Sequence, residues 1–254
     1  MKTLAVSLIV LLAACNKENQ PAIHQQSPPQ MKLARINASV SEQAANPSNP
    51  YDSIGSIHNK VLQKVCDYVD ETGDTSISGR REQVNNYFKN RYGEDISKKL
   101  LEMESRSKKD FPGGMIKAVP QNMFSTVVES YLNRIINAVR SVKTMDGYQA
   151  FKATVVSIEK EVPADKRLSK AEQQKMFLAA SIARYSVSFW MGKAAIKPED
   201  QTLSTMGFFG NVWRAINVGL SDVSGAVSGM GYSESIREIL EDASDMSGLA
   251  SAFL

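Results

Sequence analysis

Histidine and cysteine are scarce in this chain, with two of each among 254 residues. So few ligands exclude a histidine-rich metal centre, a multi-cysteine zinc site and a disulfide framework. An excess of one charge is also lacking. Thirty Lys and Arg stand against 27 Asp and Glu, a formal net charge of +3 with no acidic or basic tail, so nothing argues for a nucleic-acid partner. The chain has no P-loop, no G-x-S-x-G elbow, no H-E-x-x-H and no paired-cysteine ligand set, and with those motifs missing no cofactor or metal is expected. Alternating apolar runs bounded by hairpin turns are absent too, which leaves little from which to build a sheet.

What is present begins at the amino terminus. Met1-Lys2 precedes the apolar run Leu4 to Leu12, about half of the ~20 residues that a membrane-spanning helix needs, so the run reads as the core of a signal peptide. It ends in Leu12-Ala13-Ala14-Cys15, which resembles the bacterial lipoprotein box: a branched apolar residue, two small residues that fit a peptidase, and a Cys whose thiol accepts lipid. The resemblance implies that residues 1–14 are removed and that Cys15 becomes an acylated N-terminus carrying chains such as palmitate. At ~0.8 kcal/mol per buried methylene, several chains hold a protein stably on a membrane. Asn16 follows where an Asp would mark inner-membrane retention, which implies an outer-membrane location in the cell envelope.

Residues 15–48 are rich in Gln, Asn, Ser, Ala and Pro, with Pro21, Pro28, Pro29 and Pro47, and read as a flexible tether. A coil of that length spans roughly 30 Å by the ~5–6 Å × √n rule.

From Asn49 to residue 254 the pattern is helical, and the expectation is one all-α, bundle-like domain of about eight helices. Asn49 reads as an N-cap with Pro50 at the first helical position and Asp52 in the first turn. Ile54, Ile57, Val61, Val65 and Tyr68 then recur at three- and four-residue steps. Further helices are expected over about 78–92, closed by Gly93, over 95–105, over 120–142, and from Asp146 to Pro163. Ser169 and Glu172 form a capping box that opens a helix to about Lys193. Its stretch from Met176 to Met191 is apolar on nearly every side, and Arg184 near the middle argues against a membrane span. A seventh helix carries Phe208, Phe209, Val212, Trp213, Ile216, Leu220 and Val223. Residues 224–231 are small and read as flexible, with Gly225-x-x-x-Gly229 allowing either a tight helix crossing or a break before Tyr232, and Ser233 caps a final helix whose acidic run, Glu234, Glu238, Glu241, Asp242 and Asp245, reads as a solvated face.

Few residues could carry chemistry. His24 lies in the tether, so any Ser–His or Cys–His mechanism would have to use His58, which sits four residues from both Ile54 and Leu62 and reads as a packed core residue. Its neighbour Asn59 points ~100° away around the helix. Cys66, once Cys15 is acylated, has no disulfide partner and reads as a small buried hydrophobe.

The less routine residues are Asn49-Pro50-Tyr51-Asp52 with Gly55 and His58-Asn59, then Arg184-Tyr185-Ser186 with Phe189-Trp190, then Trp213 and Asp222-Val223-Ser224-Gly225-Ala226 with Gly229. Together they resemble a family of secreted proteins and lipoproteins of the Bacteroidota whose helical region starts with N-P-Y-D-x-x-G-x-x-H-N and closes with W…D-x-x-G-A-x-x-G. The resemblance spans about residues 49–231 and implies the compartment and a helical fold; it supplies no reaction. Tyr51, Asp52, His58, Asn59, Arg184, Trp190, Trp213, Gly225 and Gly229 are therefore candidate binding or structural positions. The function expected is an envelope-tethered module that binds or scaffolds an envelope protein or polymer. The alternatives are a helical enzyme acting on envelope polymers and a membrane-active or antagonism-related protein using residues 224–231.

Overall fold

The computed structural model describes residues 43–110, 123–143, 147–195 and 205–232, with positions 236, 237, 239–241, 243 and 244. The lipid box, Cys15 and most of the tether lie outside these residues. Among the described residues the protein is 83% helical with no strand, an all-α single domain. Seven helices are bounded: α1 Asp52–Thr72, α2 Ile77–Tyr92, α3 Ser97–Asp110, α4 Thr126–Ser141, α5 Gly147–Glu161, α6 Lys170–Ala195 and α7 Thr205–Tyr232, with a 3-10 turn at Val162–Ala164. Helical residues recur between 236 and 244.

The chain's own capping chemistry sets most of these limits. Ser76 and Ser125 accept hydrogen bonds from the backbone N–H groups of Gly79 and Val128, satisfying donors that the first turn leaves open. The Ser169–Glu172 box closes both ways: the Glu172 N–H donates to Ser169 Oγ at 3.2 Å and the Ser169 N–H to Glu172 Oε2 at 2.8 Å. Gly73 and Gly93 end α1 and α2 at φ 69° and 74°, a left-handed backbone that residues with a Cβ avoid. Lys175 Nζ donates to the Met230 carbonyl at 2.8 Å, a cation at the negative end of the α7 dipole.

The helix α6 is the axis of the fold. Every residue from Met176 to Met191 is buried, and α1, α4, α5 and α7 all pack on it, which is why its apolar pattern has no polar side. A second, smaller core of Val61, Val65, Val84, Phe88, Ile96, Leu100 and Leu240 lies between α1, α2, α3 and the 236–244 segment.

Four expectations are corrected. The first helix starts at Asp52, not Pro50, because Asn49 spends its side chain on a turn and on the core, as described below. Packing also begins upstream of the expected boundary at residue 48, since Ala44 and Asn46 are buried. Residues 224–231 form no flexible joint: α7 runs through them unbroken, and Ser224–Met230, with Gly225 and Gly229, are buried. Finally, Glu241 is buried in place of facing solvent; Arg237 Nε donates to it at 3.1 Å and Lys99 Nζ stands 3.9 Å away. Phe208, Phe209 and Trp213 have side chains outside the description, as do the caps at Asp146 and Ser233.

The helices α1 and α6 run side by side in the same direction, Gly55 against Ser181 and Asn59 against Tyr185. A Cβ on Gly55 would lie 2.5 Å from Tyr185 Cδ2 and 2.6 Å from both the carbonyl oxygen and Oγ of Ser181. Alanine is the better helix former by ~1 kcal/mol, yet Gly55→Ala has to push α1 off α6. The expected result in urea unfolding is a net loss of ~1–3 kcal/mol; a midpoint at or above that of the natural protein would contradict the close contact.

Candidate functional site

Of the unusual residues of the sequence, Asn49, Asp52, Gly55, Asn59, Arg184 and Tyr185 come together where α1 meets α6, with Glu159 of α5 beside them. On α1, Asp52, Gly55 and Asn59 are spaced i, i+3 and i+7 and so share a face; on α6, Ser181, Arg184 and Tyr185 do the same. Arg184 is the one charged side chain between Met176 and Met191, and it is fully buried. An unpaired guanidinium there would cost several kcal/mol in lost hydration, so the surrounding chain supplies partners. Arg184 Nε and Nη2 donate to Glu159 Oε1 at 3.2 and 2.9 Å, Nη2 donates to Asp52 Oδ1 at 2.6 Å, and Nη1 donates to the Ala44 carbonyl.

The two carboxylates are engaged from other directions as well. Glu159 accepts from the side-chain amides of Asn46 at 2.6 Å and Asn49 at 2.5 Å. Asn49 Nδ2 also donates to the Phe177 carbonyl, while its Oδ1 accepts the Tyr51 N–H at 2.7 Å in an Asx turn that sets up α1. Asp52 accepts the Asn46 N–H at 3.2 Å and the Tyr185 hydroxyl at 3.0 Å. Burial, followed by the Asp52 charge and that hydrogen bond, pushes the Tyr185 phenol well above its usual range. Burial and the Arg184 charge push the nearby Lys152 ammonium down. Ser181 Oγ completes the joint: it donates to the Asp52 carbonyl and accepts the Gly55 N–H, both at 3.0 Å.

The remaining candidates fall around this centre. Tyr51 packs on the core, its ring 6.4 Å from that of Phe177. Asn59 Nδ2 donates to the Tyr185 carbonyl at 2.8 Å, and its Oδ1 lies 3.4 Å from Nδ1 of the fully buried His58. Cys66 packs against the core, with burial pushing its thiol up to about 11, a poor nucleophile. One turn further along α6, Ser186 and Trp190 reach across to α7, which runs antiparallel. Ser186 Oγ donates to Asp222 Oδ2, as does Trp190 Nε1 at 3.0 Å.

Glu159, Asn46 and Ser181 were not among the residues singled out from the sequence. Glu159 follows the apolar stripe residue Ile158 like any surface charge, and Asn46 falls in tether-like composition; no local signal marks either.

Chemically, the centre is saturated. A general acid or base needs a proton or lone pair within reach of substrate; here every nitrogen of the Arg184 guanidinium and every carboxylate oxygen of Glu159 and Asp52 is hydrogen-bonded within the chain. His58 is sealed from solvent. Among the described residues no group of three or more His, Cys, Asp or Glu could hold a metal ion, and no helix is long and apolar enough to cross a membrane. Compared with protein-family models, with curated proteins and with solved structures, the chain matches none.

Removing the guanidinium leaves two carboxylates facing a low-dielectric interior. Arg184→Leu is expected to lose ~3–5 kcal/mol, and His58→Ala, which removes a packed ring, ~1–3 kcal/mol. Urea unfolding of both variants checks this; an Arg184→Leu midpoint equal to that of the natural protein would remove the centre from its structural role.

Proposed function

We propose that this is a lipid-anchored cell-envelope protein, a relative of the Bacteroidota lipoproteins it resembles, that acts as a binding or scaffolding module with no chemistry of its own. The anchoring half of the reading rests on Leu12-Ala13-Ala14-Cys15 directly after a short apolar core. The observation that carries the other half is the saturation of Arg184, Glu159 and Asp52. This cluster holds the chain upstream of α1 to the helical body, and each of its carboxylate oxygens is already hydrogen-bonded within the chain. The partner is an envelope protein or polymer, reached from the end of a tether long enough to clear the lipid headgroups. Against the membrane-active alternative stands the burial of Ser224–Met230 within α7, a segment that would have to leave the core before meeting lipid.

Cys15→Ala tests this reading. Cells expressing the natural protein are expected to incorporate radioactive palmitate into it and to retain it in the outer-membrane fraction, and the variant is expected to lose both. The purified Cys15→Ala protein is also expected to leave dye-loaded liposomes intact. Palmitate label on the variant would overturn the anchor, and dye release would replace the binding reading with the membrane-active one.

A further inference from the structure

An open groove of about 380 Å³ lies between α4 and the connection from α5 to α6, a volume inside the ~300–1,000 Å³ typical of small-molecule sites. One face of α4 supplies Thr126, Ser130, Tyr131 and Arg134; Glu161 and Arg167 close the other side. The residues at its charged end are organised as two pairs. Arg134 Nη1 and Nη2 donate to Glu161 Oε2 and Oε1 at 2.6 and 2.9 Å, a two-pronged fork, and Arg167 Nε and Nη2 donate to Asp165 Oδ1 and Oδ2 at 2.9 and 2.7 Å. Tyr131 joins them: its hydroxyl donates to Asp165 Oδ2 at 3.2 Å, and the Arg134 guanidinium lies over its ring, 5.3 Å from the centroid.

The pairing decides what the groove can hold. Arg134 is matched by Glu161 within the lining and Arg167 by Asp165, which stands behind the lining and is 10% exposed, so an added anion would have to compete with a carboxylate at each guanidinium. An apolar ligand fares no better, because Val127 is the one aliphatic residue of the lining and is half-buried against the core, and the Tyr131 ring is covered by Arg134 and almost wholly buried. A neutral polyol suits the lining, since its hydroxyls both donate and accept. It can bridge carboxylate lone pairs, guanidinium N–H groups and the exposed hydroxyls of Thr126 and Ser130 without displacing either ion pair. The hydrogen bonds from Arg134 and Arg167 hold both carboxylates below their usual range and therefore ionised. Arg134 and Glu161 remain 44% and 42% exposed, within reach of a ligand from solvent.

We propose that this groove is a binding site for a short neutral oligosaccharide, with the Arg134–Glu161 fork as its principal hydrogen-bonding element. The proposal rests on the reading of the protein as an envelope binding module and names its ligand class.

The test is calorimetric titration of the full chain, solubilised in a detergent without a sugar headgroup, with cellobiose, N,N′-diacetylchitobiose and inorganic phosphate. Saturable binding of at least one disaccharide at one site per chain is expected, with none for phosphate. Arg134→Lys keeps the charge but loses the fork, and Glu161→Gln loses the carboxylate. Each is expected to weaken binding at least tenfold while leaving the thermal midpoint in place, because an exposed ion pair contributes little to folding. Saturable phosphate binding, disaccharide binding that neither variant alters, or no saturable binding of either sugar would overturn the proposal. Palmitate labelling is read on membranes, independently of this titration, so a failed groove with an intact anchor is distinguishable from a failed anchor.

Discussion

A guanidinium placed at the centre of an otherwise apolar helix is the constraint on which the rest of this fold depends. Arg184 cannot be buried alone, because the hydration it gives up is worth several kcal/mol more than packing returns. Its partners come from two stretches far apart in sequence: Asp52 at the head of α1 with the Ala44 carbonyl just ahead of it, and Glu159 near the end of α5. Bringing them together fixes the start of α1 against α6 and lays residues 44–49 into the same joint. Hydrogen bonds of this kind are directional, so they specify one arrangement of these helices where apolar contact alone would permit several.

The small residues around that centre answer the same need. Gly55 and Ser181 let α1 come close enough to α6 for the Asp52 carboxylate to reach Arg184. On the opposite side Gly219 lets α7 lie near Val187 and Ser186, and Asp222 receives Ser186 and Trp190. Two buried carboxylate clusters, one on each side of α6, thus hold its neighbours in place. The N-P-Y-D-x-x-G-x-x-H-N spacing acquires a physical meaning in this light. Asn49 builds the turn, Asp52, Gly55 and Asn59 form the contact face, and His58 fills the space beside it.

This division of labour bears on function. The polar residues of the Arg184 centre point inward and are spent on folding, while the Arg134–Glu161 pair of the α4 groove stays half-exposed to solvent.

The helical class, most helix positions and the central placement of α6 were legible in the sequence, because 3.6-residue periodicity, capping boxes and glycine stops are local signals that need no knowledge of the neighbours. The proposed lipid anchor rests on a signal of the same local kind, four consecutive residues. What the sequence left open was which polar residues face inward. Glu159, Asn46 and Glu241 carry the composition of a solvated surface, and 224–230 suit a joint as well as a close helix crossing, yet all are buried. Burial of a charge depends on a partner that another segment delivers, as Arg184 is for Glu159. Only the tertiary structure decides those meetings, since contacts between residues 25 to 140 positions apart leave no trace in a local pattern.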